Sequence, residues 1–92
     1  MSDDNDTRVE VEICGEYYTL KGKESPEYMQ MVAEYVNRKI KQVSNRNTKL
    51  SVTKAAVLAA INIADELSKL QEDYDDLVKM MDNDMLNLDK AE

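Results

Sequence analysis

Apolar and polar residues alternate strictly from Arg8 to Ile13, with Val9, Val11 and Ile13 on one face and Arg8, Glu10 and Glu12 on the other. Period two predicts a half-buried β-strand. Gly15 and Glu16 supply a turn, and Tyr17 to Lys21 read as the return strand, with Tyr18 and Leu20 facing inward. The period then changes. Ser25 is a good N-cap, Pro26 suits the first helical position, and Glu27 favours the positive end of the helix dipole. A helix follows to about Val43, with Tyr28, Val32, Tyr35 or Val36, Ile40 and Val43 as one apolar stripe and Glu34, Arg38 and Lys41 off it. Residues 44–50, "SNRNTKL", break the pattern with residues that prefer turns and caps.

Ser51 can cap a second helix, which meets no Gly or Pro from Val52 to Glu92. Residues 54–67 are apolar nearly all round, which predicts deep burial in a packed head. Beyond them the pattern narrows to a seam: Ala56, Ala60, Ile63, Leu67, Leu70, Tyr74, Leu77 and Met81 recur at alternating steps of four and three. That is the a/d repeat of a coiled coil. Glu72, Asp73, Asp75 and Asp76 lie off it. The register fails at Asp84, and Met85 and Leu88 continue it only if the phase slips by four.

The expected fold is therefore α+β, a small β-hairpin and helix head followed by a long C-terminal coiled-coil helix. The expected divisions are a disordered acidic N-terminus (1–7), a dimerising head (8–66) and a coiled-coil tail (67–92). Two isolated strands are marginal in water. A helix of some 35 to 40 residues spans about 55 Å, far wider than so small a head. Both features predict self-association, through Leu67, Leu70, Tyr74, Leu77 and Met81 along the coil and Ile61 and Ile63 nearer the head.

Charge sharpens this picture. The 92 residues carry a net charge of −7, but unevenly. Residues 1–20 hold six acids and one base, residues 21–54 eight bases and three acids, and residues 55–92 ten acids and three bases. The net charge argues against a general nucleic-acid binder, and a basic middle between acidic ends suits a partner with an acidic surface or charge-complementary self-association. Single lysines in such a pattern also serve simply as solvated faces.

Catalytic chemistry has little to work with. The chain has no His, so Cys14 lacks an imidazole to activate it and reads as structural; an unpaired Cys also fits a reducing compartment. Asp82 and Asp84 have calcium-loop spacing without the Gly and Glu such a loop needs. Apolar runs stay short of the ~18 residues a membrane span requires. The reading is a cytosolic protein that is not an enzyme, with no cofactor, metal, membrane or small-molecule substrate.

A strand of V-x-V-x-I type running into "CGEYYTL", the helix "MVAEYVNRKIKQV", and "KAAVLAAINIADELSKLQED" stand in this order over residues 8–78. Together they resemble the cell-division Z-ring-associated proteins, the ZapA family. That resemblance implies a cytoplasmic bacterial protein at the division septum, a homodimer that often pairs into a homotetramer. It also implies binding to the tubulin-like division GTPase FtsZ, cross-linking of its protofilaments and restraint of GTP hydrolysis. An acidic GTPase would be met by the basic middle: Lys21, Lys23, Arg38, Lys41, Arg46 and Lys49, with Arg8 in the first strand. The competing reading is a generic coiled-coil adaptor or small chaperone-like scaffold. A chaperone should show an exposed apolar rim on the head, where the surface of the first helix reads as charged.

Overall fold

The computed structural model describes residues 6–91, with side chains through Asn83. Of the expected disordered segment 1–7, residues 1–5 lie outside the described residues and Thr7 stands in a strand; the expectations resting on Asp84, Met85 and Leu88 lie outside the described side chains. The element order is β1 (Thr7–Ile13), β2 (Glu16–Gly22), α1 (Pro26–Arg46) and α2 (Val52–Ala91). A two-stranded antiparallel hairpin followed by two helices is an α+β fold, as the periodicities predict. The chain divides into two compact units, Met1–Ile61 and Asn62–Glu92.

The hairpin pairs Val9 with Leu20, Val11 with Tyr18 and Ile13 with Glu16. Val9, Val11, Tyr18 and Leu20 thus share a face, but Tyr18 is 49% exposed rather than turned inward. The turn is one residue earlier than expected. Cys14 and Gly15 form it, with φ of 53° and 81°, and Glu16 belongs to β2. A two-residue hairpin loop with both central residues at positive φ follows the twist of its strands. Only Gly reaches that region freely, so Cys14 bears a cost of about 1–2 kcal/mol. A hydrogen bond offsets it: the Cys14 backbone N–H donates to Asn37 Oδ1 at 3.0 Å, tying the turn to α1. Asn37→Ala is expected to lower stability by about 1–2 kcal/mol by orphaning that half-buried donor. Thermal unfolding checks it, with Asn37→Asp, which keeps the acceptor, staying closer to the parent.

The caps follow the residue types. Ser25 Oγ accepts from the Tyr28 N–H at 3.2 Å, and Pro26 opens α1. At the other end Asn47 caps the helix through its own N–H to the Val43 carbonyl. Ser51 Oγ accepts from the Lys54 N–H at 3.2 Å and starts α2.

Packing corrects the expected stripe on α1. Met29, Ala33 and Ile40 are buried, and Val36, Asn37 and Val43 are half-buried, so the inward face runs through these residues. Tyr28, Val32 and Tyr35 lie on another face and are exposed. Two stripes at the same spacing compete on this helix. Met29 wins over Tyr28 because it lies against Gly22, its sulfur 3.6 Å from where a Cβ would stand. Such a close approach suits a thin, adaptable side chain better than a ring.

The core of one chain is small. Ile40, Ala55 and Ala59 form its centre, with Ile13, Cys14, Val36, Val43 and Ala56 against them. The largest fully buried side chain is Val11, 1% exposed. The expected all-round burial of residues 54–67 is not met within a single chain: Ala55 and Ala59 are buried, while Val57, Leu58, Ile61 and Leu67 are exposed.

Candidate functional site

Open apolar grooves and exposed apolar stripes mark the described residues. In the unit Asn62–Glu92, Leu67, Leu70 and Tyr74 are 64%, 67% and 62% exposed, and Leu77 and Met81 are more than half exposed. Their steps of three and four place them along one side of α2. Leu67, Leu70, Gln71 and Tyr74 line an open apolar groove there. Ile63 is half-buried. A contiguous stripe of this kind on a soluble helix is an interaction surface. Off that side Lys69 Nζ meets Asp65 Oδ2 at 3.0 Å, and in the groove lining Gln71 Nε2 donates to Asp75 Oδ1 at 3.2 Å. The hydrogen bond to Asp65, with its charge, raises the Lys69 pKa above the usual lysine value.

The unit Met1–Ile61 carries two more apolar exposures. Leu50, Thr53, Lys54, Val57 and Leu58 line an open groove, with Ile61 exposed further along α2. On α1, Tyr28, Met31, Val32 and Tyr35 are exposed together. The first helix is therefore not charged all over its surface, and the criterion set against a chaperone reading fails. The signal was present in the sequence, because Tyr28, Val32 and Tyr35 keep a 4–3 spacing of their own.

The basic residues are spread along the head. Arg8 and Lys21 stand opposite each other across the hairpin. Asp6 reaches Lys21 Nζ at 3.7 Å, which relieves part of that like-charge contact. Lys23 is exposed between β2 and α1, Lys41 and Arg46 are exposed on α1, and Lys49 is exposed in the loop after it. Arg38 sits over the Tyr35 ring, 5.7 Å from its centre, with Lys39 Nζ at 5.4 Å from the same centre. The fold thus brings together Arg8 with Lys21 and Arg38 with Lys39. On the outer face of the hairpin, a hydrogen bond to Glu12 raises the Tyr17 pKa above the usual phenol value.

Among the described residues no group of three or more His, Cys, Asp or Glu could hold a metal ion, and no helix is long and apolar enough to cross a membrane. The family Cell division protein ZapA matches residues 9–91, nearly the whole chain. The chain belongs to the ZapA family.

Relatives agree. Cell division protein ZapA of Geobacillus thermodenitrificans is 49% identical over 77 residues, 84% of this chain and 85% of the relative. Cell division protein ZapA of Bacillus subtilis is 36% identical over 81 residues, 88% of this chain and 95% of the relative. Among solved structures, a ZapA mutant dimer from Geobacillus stearothermophilus superposes with a TM-score of 0.68 at 41% identity, covering 88% of this chain and 94% of that one. A ZapA dimer therefore exists with this fold. The chain is thus of a cell division protein family.

Proposed function

We propose that this chain is a non-enzymatic regulator of bacterial cell division that binds and cross-links protofilaments of the division GTPase FtsZ. It acts in the cytoplasm at the division septum, promotes assembly and stability of the Z-ring, and restrains GTP hydrolysis by stabilising the polymer. The match to ZapA across residues 9–91 carries this reading. Its working form is a homodimer joined through its head (8–66) and its coiled-coil tail (67–92), which pairs further into a homotetramer. Burying the seam of Leu67, Leu70, Tyr74, Leu77 and Met81 is the driving force, at about 1.5–3 kcal/mol for each large apolar side chain fully buried.

An assembly with several heads cross-links without chemistry. Once one head is bound, the next acts at high effective concentration, so each contact can be weak. Arg8, Lys21, Lys23, Arg38, Lys41, Arg46 and Lys49 supply charge complementary to an acidic filament. Pelleting purified FtsZ with this protein, in GTP and in GDP over a salt series, tests the reading. Co-pelleting that requires GTP and falls with salt, with bundles seen by light scattering, is the expected result. No pelleting at any salt by a confirmed oligomer would leave only the adaptor reading.

A further inference from the structure

The outer face of α1 has two halves. Tyr28, Met31, Val32 and Tyr35 are between 37% and 56% exposed. The line through Tyr28, Val32 and Tyr35 continues at the same spacing through Lys39, Gln42 and Arg46, in steps of four, three, four, three and four, with Arg38 beside it. The face is therefore aromatic and aliphatic over its first turns and cationic over its last. Tyr35 marks the boundary, with Arg38 and Lys39 both within 6 Å of its centre. A cation held over a ring is pre-oriented and keeps donors directed outward for a carboxylate.

This differs from the stripe on α2. The seam from Leu67 to Met81 is apolar at every step, as suits a second copy. The α1 stripe ends in cations, and a second copy laid alongside in the same direction would set them against their own kind. It lies in the basic middle of an acidic chain, where residues 21–54 hold eight bases and three acids. An acidic segment bearing an apolar anchor complements both halves at once.

We propose that this face of α1 docks such a segment. An apolar side chain of the segment enters between Tyr28, Val32 and Tyr35, and its carboxylates lie along Arg38, Lys39 and Arg46. The proposal rests on the filament reading above and deepens it: the segment belongs to the filament, and the contact is anchored by apolar burial as well as charge. Aromatic anchors ringed by charge are the usual carriers of interface affinity.

The test is a Tyr28→Ser, Val32→Ser double variant beside Arg38→Glu, each pelleted with GTP-assembled FtsZ over a salt series, with solution mass measured in parallel. The double variant is expected to weaken binding by about tenfold per anchor at every salt. Its slope of log affinity against log salt should match the parent's, whereas Arg38→Glu should flatten that slope. Should the double variant lose helicity, Val32→Glu makes the same test with a good helix former that repels carboxylates. Unchanged binding by a folded variant overturns the proposal and leaves the filament reading standing. A changed solution mass overturns it too, by assigning the face to a second copy. Parent protein that pellets at no salt removes both readings together.

Discussion

Leu70→Asp is expected to raise the dissociation constant of the self-assembled protein by about a thousandfold. Leu70 is the most exposed residue of the seam, and its neighbours Leu67 and Tyr74 are nearly as exposed. In a two-chain coil the change occurs twice, whether the helices run parallel or antiparallel. Each copy loses roughly 2 kcal/mol of apolar burial and adds the cost of desolvating a carboxylate that has no partner. The apolar loss alone, about 4 kcal/mol over the two copies, corresponds to the factor stated, and the carboxylate cost adds to it. Sedimentation velocity across a concentration series reads it, and filament bundling should fall in step. Ser68→Asp is the control: it falls on the opposite side of α2 by helical spacing and should leave the mass unchanged. If Leu70→Asp kept both its mass and its bundling, the seam would have no part in assembly.

Ile40→Ala is expected to destabilise the head by about 2–5 kcal/mol, through lost burial and the cavity left behind. Ile40 is the one large side chain in the buried centre that it forms with Ala55 and Ala59. Ala55 and Ala59 share the buried cluster with Ile40, and neither has atoms to move into the gap. In a domain of this size such a loss lowers the melting temperature by roughly 10 °C or more. Thermal unfolding at fixed protein concentration checks it, because self-association makes the midpoint depend on concentration. Ile40→Leu, equal in volume, should lose under ~1.5 kcal/mol. A melting temperature unchanged in Ile40→Ala would mean that the core lies elsewhere.

Much of this protein is legible without coordinates. Alternation at Arg8–Ile13, the Ser25–Pro26 start and the uninterrupted run from Val52 each announce their element, and the structure has them in that order. The turn lies one residue earlier than the pattern predicts, because Gly15 is its second position and not its first. Cys14 is a poor candidate for positive φ on its own, and the Asn37 oxygen that holds it is 23 residues away in sequence. No local pattern contains that bond.

The candidate surfaces divide in the same way. The seam at Leu67, Leu70, Tyr74, Leu77 and Met81 is written in spacing alone, since helical geometry puts those side chains on one side whatever they meet. On α1 the spacing is written twice, one residue out of phase, through Tyr28, Val32 and Tyr35 and through Met29, Ala33, Val36 and Ile40. Hydrophobicity cannot rank two such stripes, and the rings would be expected to bury first.

Periods of two and 3.6, with a count of side chains, are enough to set the kinds of element, their order, and the apolar excess that one chain leaves uncovered. Which side of α1 turns inward and where the hairpin bends are fixed in three dimensions. Both are settled by close contacts, Met29 against Gly22 and Cys14 against Asn37, that join residues distant in the chain. By burying one stripe of α1, those contacts leave the other, with its cations, exposed on the surface.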